Sequence, residues 1–195
     1  MTLDFTPVLT GTTTFDTFAE GATSADLRAA TQVSIDTLLA FLDGLTDADV
    51  IFDPFDEHAD DPYATPGEEK IGWSLAHLVA HVTASSEEGA AFSSLLARGI
   101  PASERPRYET PWRDITTHAH CVQRVEESRR MRLAYLGTWP DQPHLDVFRP
   151  LSERFVERFG RMNAPAAFLF GLAHEVGHYD QFREVRRQAL AARTG

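Results

Sequence analysis

Cysteine is nearly absent from this chain: Cys121 is the single one in 195 residues. One thiol excludes an intramolecular disulfide and any zinc site built from several cysteines. It also agrees with a reducing compartment, so a cytoplasmic location is expected. A positive surplus is missing as well. Lys and Arg number 18 against 29 Asp and Glu, for a formal net charge of −11. The arginines stand among acids, as in Glu126-Glu127-Ser128-Arg129-Arg130. Proteins that hold nucleic acid neutralise phosphates with a basic stripe, so this balance argues against DNA, RNA and anionic membrane surfaces as partners. No apolar run approaches the ~20 residues of a membrane span. Met1-Thr2-Leu3-Asp4 lacks the basic start and apolar core of a secretory leader, so none is expected. Strand-type alternation, internal repeats and low-complexity tracts are also lacking.

What remains is helical. The length suits one domain, residues 1–195. Residues 1–20 carry Pro7, Gly11 and the run Thr12 to Thr14, and read as an extended arm or a short strand pair. Apolar residues at helical spacing, with Ser24 as cap and Gly44 as stop, predict a helix over 24–42. Further helices are predicted over 73–98, ended by Gly99 and Pro101, and over 113–136, ended by Gly137 and Pro140. A last one is predicted over 164–192, with Pro165 tolerated in its first turn. A short helix fits near 151–158. The acidic stretch 47–69, with Asp53-Pro54, Asp61-Pro62 and Pro66-Gly67, is a long loop, and long loops in compact domains tend to be functional. The expected class is all-α: a four-helix bundle with long inter-helix loops.

Two histidine pairs carry the chemistry. His174 and His178 are four residues apart, which places both imidazoles on one helix face, one turn from each other. Gln181 continues that face. His77 and His81 repeat the spacing on the second helix. Helices of a bundle bring such side chains together, and neutral imidazoles suit Zn, Ni, Fe or Cu better than Mg or Ca. His118 and His120 point to different sides of a helix and make a poor chelate; His58 and His144 are expected at the surface. His174-Glu175-Val176-Gly177-His178 also fits the zinc-peptidase pattern with Glu175 as general base. The glycine that extends that pattern in metzincins is replaced by Gln181, and the tail beyond offers no third histidine. The third ligand must therefore come from upstream, with His77 and His81 as candidates.

The segment Gly72-Trp73-Ser74-Leu75-Ala76-His77-Leu78-Val79-Ala80-His81-Val82 resembles the signature of the DinB/YfiT-like family, in which a tryptophan opens the second helix and a histidine two turns later binds metal. His174-Glu175-Val176-Gly177-His178-Tyr179-Asp180-Gln181 is similar to that family's H-x-x-x-H-x-x-Q motif. The resemblance spans helices 24–192 and leaves out the N-terminal arm and the acidic loop. It implies a DinB/YfiT-like four-helix bundle, often dimeric, with a divalent metal on His81, His174 and His178. His77, Gln181 and Tyr179 become orienting neighbours, with His77 an alternative ligand as in some mycothiol-type members. Zn or Ni is the expected metal and Fe an option. The resemblance further implies a thiol-dependent S-transferase, using a low-molecular-weight thiol such as bacillithiol and an electrophilic substrate. A metal-dependent hydrolase, or a non-catalytic metal-binding protein of the DNA-damage-inducible stress response, stays open as an alternative. Cys121 is expected as a buried small residue, not a nucleophile.

Overall fold

Helix caps organise the chain from its N-terminal side onward. The computed structural model describes residues 4–61, 64–105 and 109–193, and among these the regular structure is entirely helical. Residues 1–20 were expected as an extended arm. They instead contain two single-turn helices, α1 (Thr6–Leu9) and α2 (Phe15–Phe18). The reason is burial: Phe5, Val8 and Phe15 are buried and pack with Phe92, Leu96 and Phe168 in one core cluster. A helical turn delivers those side chains to one side, which an extended strand would alternate.

Helix α3 (Ser24–Leu42) is capped by Thr23, one residue earlier than expected. The Asp26 amide donates to Thr23 Oγ1 at 3.2 Å and the Thr23 amide to Asp26 Oδ2 at 2.9 Å, a reciprocal capping box. A further turn, α4 (Asp47–Val50), follows. Helix α5 (Leu75–Ala97) starts where Ser74 Oγ accepts from the His77 amide, 3.2 Å. The third long helix, expected from 113, begins later. Residues Trp112–Asp114 form a 3₁₀ turn, and α6 (His118–Gly137) starts behind Thr117, whose side chain accepts from the His120 amide. The short helix near 151–158 is α7 (Glu153–Phe159). The final helix is not continuous: α8 (Ala164–Gly177) and α9 (Tyr179–Ala192) meet at His178. There the His178 amide donates to Glu175 O, three residues back, and the chain then resumes α-helix with Phe182 donating to His178 O. No helix among the described residues is long and apolar enough to cross a membrane.

Helix α5 packs against α8 and α6, and α3 closes the arrangement against α6 and α8. Two hydrophobic clusters result, one around Phe92, Phe168 and Leu172 and one around Ile35, Leu78, Val82 and Phe182. Buried polar side chains of these helices and of α9 join in one hydrogen-bonded layer: Ser34, Ser86, Ser128, Arg132, Glu175 and Tyr179. The α5–α8 crossing depends on glycine. A Cβ at Gly171 would stand 2.8 Å from the Ser85 carbonyl oxygen and 3.1 Å from Ser86 Cα. One at Gly89 would stand 2.8 Å from the Ala167 carbonyl oxygen. Backbone cannot yield as a flexible side chain does, so Gly171→Ala is expected to destabilise by about 1–3 kcal/mol. Urea unfolding reads this as a lower midpoint at unchanged slope; an unchanged midpoint would show that the crossing is not tight.

Candidate metal centre

His81 comes from the second turn of α5, His174 from the last turn of α8, and His178 from the break between α8 and α9. Each offers one ring nitrogen to a common point, and those nitrogens lie within 4.8 Å of one another. His81 Nε2 and His174 Nε2 are 3.4 Å apart. Two nitrogens each ~2.1 Å from a tetrahedral centre stand ~3.4 Å apart, so this edge fits zinc-type coordination without rearrangement. The three ring centroids are 4.9 to 5.1 Å from each other, and the rings are steeply inclined, 60° to 82°. Three ring edges turned toward one another in this way could hold a shared cation.

Burial holds His81 at a pKa of about 3 and His174 at about 4, with neighbouring imidazoles adding a like-charge penalty on protonation. Both rings are therefore neutral at pH 7 with lone pairs available, although His174 keeps an exposed edge at the mouth of the cleft.

Surrounding groups aim these rings. His178 Nδ1 donates to Gln181 Oε1 at 2.9 Å, which leaves Nε2 as the free acceptor. The Glu109 carboxylate stands 4.0 Å from His81 Nδ1, on the side of the ring away from the other histidines. His77 is not in the group. Its ring is sandwiched between Trp73 (4.4 Å, 27°) and Trp112 (4.7 Å, 9°), and Trp73 in turn stacks on His178 at 5.8 Å. Tyr179 is also elsewhere: its ring is buried against Phe41 and its hydroxyl donates to Glu175 Oε1 at 3.0 Å. Glu175 is fully buried and ion-paired to Arg132 at 2.8 Å, so it faces the core and cannot serve as the base of a peptidase. Cys121 is buried, and burial pushes its thiol up to about 12, which removes it as a nucleophile. His118 lies apart, with Nε2 3.0 Å from the Leu42 carbonyl at the end of α3.

The His-x-x-x-His-x-x-Gln face, the Trp-led helix α5 and the all-helical frame agree with the sequence comparison, in which a model described as the DinB superfamily matches residues 29–182. The chain belongs to the DinB superfamily. No curated protein and no solved structure matches it. DinB-superfamily proteins are metal-binding in general, and a histidine cluster is present in this one. The family model leaves out α1 and α2, whose aromatic residues close one end of the core.

Glu109 is the group that sequence reasoning missed. It sits in a loop without periodicity, and its approach to His81 arises only when the segment before α6 folds across α5. Gln181 and Glu109 are expected to hold ring orientation, not to contact a metal. Gln181→Ala should weaken zinc affinity by roughly ten- to a hundredfold, and Glu109→Ala by less, since its carboxylate stands 4.0 Å from His81 Nδ1, beyond hydrogen-bond reach; competition with a chromogenic chelator measures both. Affinity equal to wild type in both would show that the rings are positioned by packing alone.

Proposed function

We propose that this protein is a divalent-metal-dependent enzyme built on the DinB/YfiT-like four-helix bundle, with its metal on His81, His174 and His178, and that it conjugates a low-molecular-weight thiol of the bacillithiol type to an electrophile. The observation that carries the reading is the convergence of three imidazoles on a cleft of about 310 Å³, with no fourth His, Cys, Asp or Glu of the described residues joining their group. Closed structural zinc sites use four protein ligands, whereas catalytic sites keep a position open. Zn or Ni suits the donor set best, and Fe is compatible with it.

Within that reading each residue has a definite task. His81, His174 and His178 hold the ion through neutral nitrogens. Gln181 keeps the proton of His178 on Nδ1, and the Glu109 carboxylate, 4.0 Å from His81 Nδ1, adds negative charge on the outward side of that ring. Trp73 walls the cleft on the apolar side and excludes water from one flank. A divalent metal held there would lower the pKa of a thiol or water beside it, making a nucleophile at neutral pH. The cleft is open to solvent at the exposed edge of His174, so metal-dependent water addition is the second reading.

The test is a conjugation assay with bacillithiol and a panel of electrophiles, using protein purified without a nickel column. Product formation should require added metal, stop with chelator, and fall by at least ~10²-fold in His81→Ala, since a lost ligand removes both binding and activation. Consumption of water instead of thiol would make the protein a hydrolase. Metal-loaded protein that does neither would leave a non-catalytic metal-binding protein.

A further inference from the structure

Rotation about the bond that carries an imidazole ring is soft, so a histidine keeps its ring plane only if something holds it. The lone pair of a ring nitrogen lies in that plane, and the outer contacts that fix it govern metal affinity. His178 has such a contact in Gln181, 2.9 Å from Nδ1. His81 lacks a close one. Among the described residues only the Glu109 carboxylate comes within 4.0 Å of its Nδ1, and that is beyond hydrogen-bond reach.

An indole does touch His81. Trp73, the residue before the Ser74 cap of α5, lies 4.6 Å from the His81 ring at 58°. The same indole runs nearly parallel to His178, at 5.8 Å and 21°. It therefore meets one ring from α5 and one from the break between α8 and α9. Trp73 is held in its turn. His77 stacks on it at 4.4 Å and 27°, and Trp112 stacks on His77 at 4.7 Å and 9°. The Arg113 guanidinium covers Trp112 at 4.2 Å and is tied to Glu68. The series Arg113, Trp112, His77, Trp73, His178 is one stack that starts on the 3₁₀ turn and ends on a histidine of the cluster. Four-residue spacing builds its middle, since Trp73, His77 and His81 follow one another about one helical turn apart. Both indoles also pack against the cluster around Ile35, Leu78 and Phe182, which anchors the stack to the core.

We propose that Trp73 is the positioning residue of the metal centre: it fixes the ring planes of His81 and His178 together, and His77 with Trp112 keeps the indole in place. The inference rests on the metal reading for what the rings are held toward. It gives the second histidine of α5 a task without a metal bond, as a flat ring inside a stack.

The experiment measures zinc affinity by chelator competition on full-length protein purified without a nickel column. Beside it stands the visible spectrum of cobalt(II)-loaded protein, whose bands report ligand geometry. Trp73→Leu keeps apolar bulk but removes the flat ring; it should weaken zinc binding roughly ten- to a hundredfold and shift the cobalt bands. Trp73→Phe should recover most of both. His77→Ala should fall between Trp73→Leu and wild type while still filling in excess zinc, and His77→Phe should recover what His77→Ala loses, because the stack needs a ring and not a nitrogen. Affinity and bands unchanged in Trp73→Leu would overturn the proposal, as would a His77→Phe protein no better than His77→Ala. Should Trp73→Leu not fold, the His77 pair and metal-free wild type carry the test. At about pH 8, above the ordinary imidazole pKa of ~6.5, the carbon-bound ring protons of His77 and His178 should resonate upfield of free histidine under the indole ring currents. Free-histidine positions would overturn the stack. Wild-type protein that takes up no divalent metal would end the metal reading and the positioning role with it; wild-type zinc binding with an indifferent Trp73→Leu would end this inference alone.

Discussion

Alanine at His81, His174 or His178 is expected to lower zinc affinity on the order of a hundredfold or more at each position, because a three-ligand site loses a full metal–nitrogen bond and the geometry of the other two. The rings line a cleft and not the core, so the variants should stay folded by circular dichroism. His77→Ala and His118→Ala are expected to keep near-stoichiometric metal. His77 is held between two indoles, and His118 is engaged with the carbonyl end of α3. Elemental analysis after purification without a nickel column, followed by chelator competition, gives both occupancy and affinity. Near-normal occupancy in all three alanine variants would remove the metal centre; loss in His77→Ala as large as in His81→Ala would move the third ligand one turn along α5.

The second large effect concerns stability. Arg132 and Glu175 are both fully buried and joined at 2.8 Å. Arg132 also donates to Ser128 Oγ at 2.9 Å and Ser34 Oγ at 2.8 Å, while Glu175 accepts from Ser86 Oγ at 2.8 Å, from Ser34 and from Tyr179. Arg132→Ala or Glu175→Ala should each cost about 3–5 kcal/mol, because the remaining charge is stranded without water. Replacing both, Arg132→Met with Glu175→Leu, should cost far less, since charge desolvation disappears along with the attraction. A double-mutant cycle by urea unfolding measures the coupling. Single variants within about 1 kcal/mol of wild type would show that water reaches the layer. Glu175 follows His174 and Tyr179 follows His178, so the same layer seats the helix break that turns His178 toward the cleft.

Long helices were legible because their signals are local. Apolar spacing, the glycine stops and the polar caps act within a few residues, so α3, α5 and α6 lie near their expected ranges even where the cap is one residue off or the first turn is 3₁₀. The arm was misread because α1 and α2 are single turns, too short to be stable alone; they exist only because Phe5, Val8 and Phe15 are buried against α5 and α8. The break at His178 was likewise invisible. Nothing in Gly177-His178-Tyr179 demands it, and it accompanies Tyr179 turning inward to Glu175.

By itself the sequence determined the helical class, the family and the pairing of His174 with His178, since each depends on spacing along one helix or on a contiguous motif. Spacing alone left His77 and His81 as alternatives, because one turn of α5 carries both on nearly the same face, and the family resemblance favoured His81. Tertiary structure sets them apart: Trp73 and Trp112 close on His77 from either side, while His81 meets His174 at 3.4 Å. Tertiary structure also decided which way the acids face. Glu175 is adjacent to a histidine of the cluster yet ends in the core on Arg132, whereas Asp56 and Asp61, more than a hundred residues before His174, wall the cleft. Helix rotation turns successive side chains by about 100°, so neighbours in sequence part company, and only packing brings distant charges to one site.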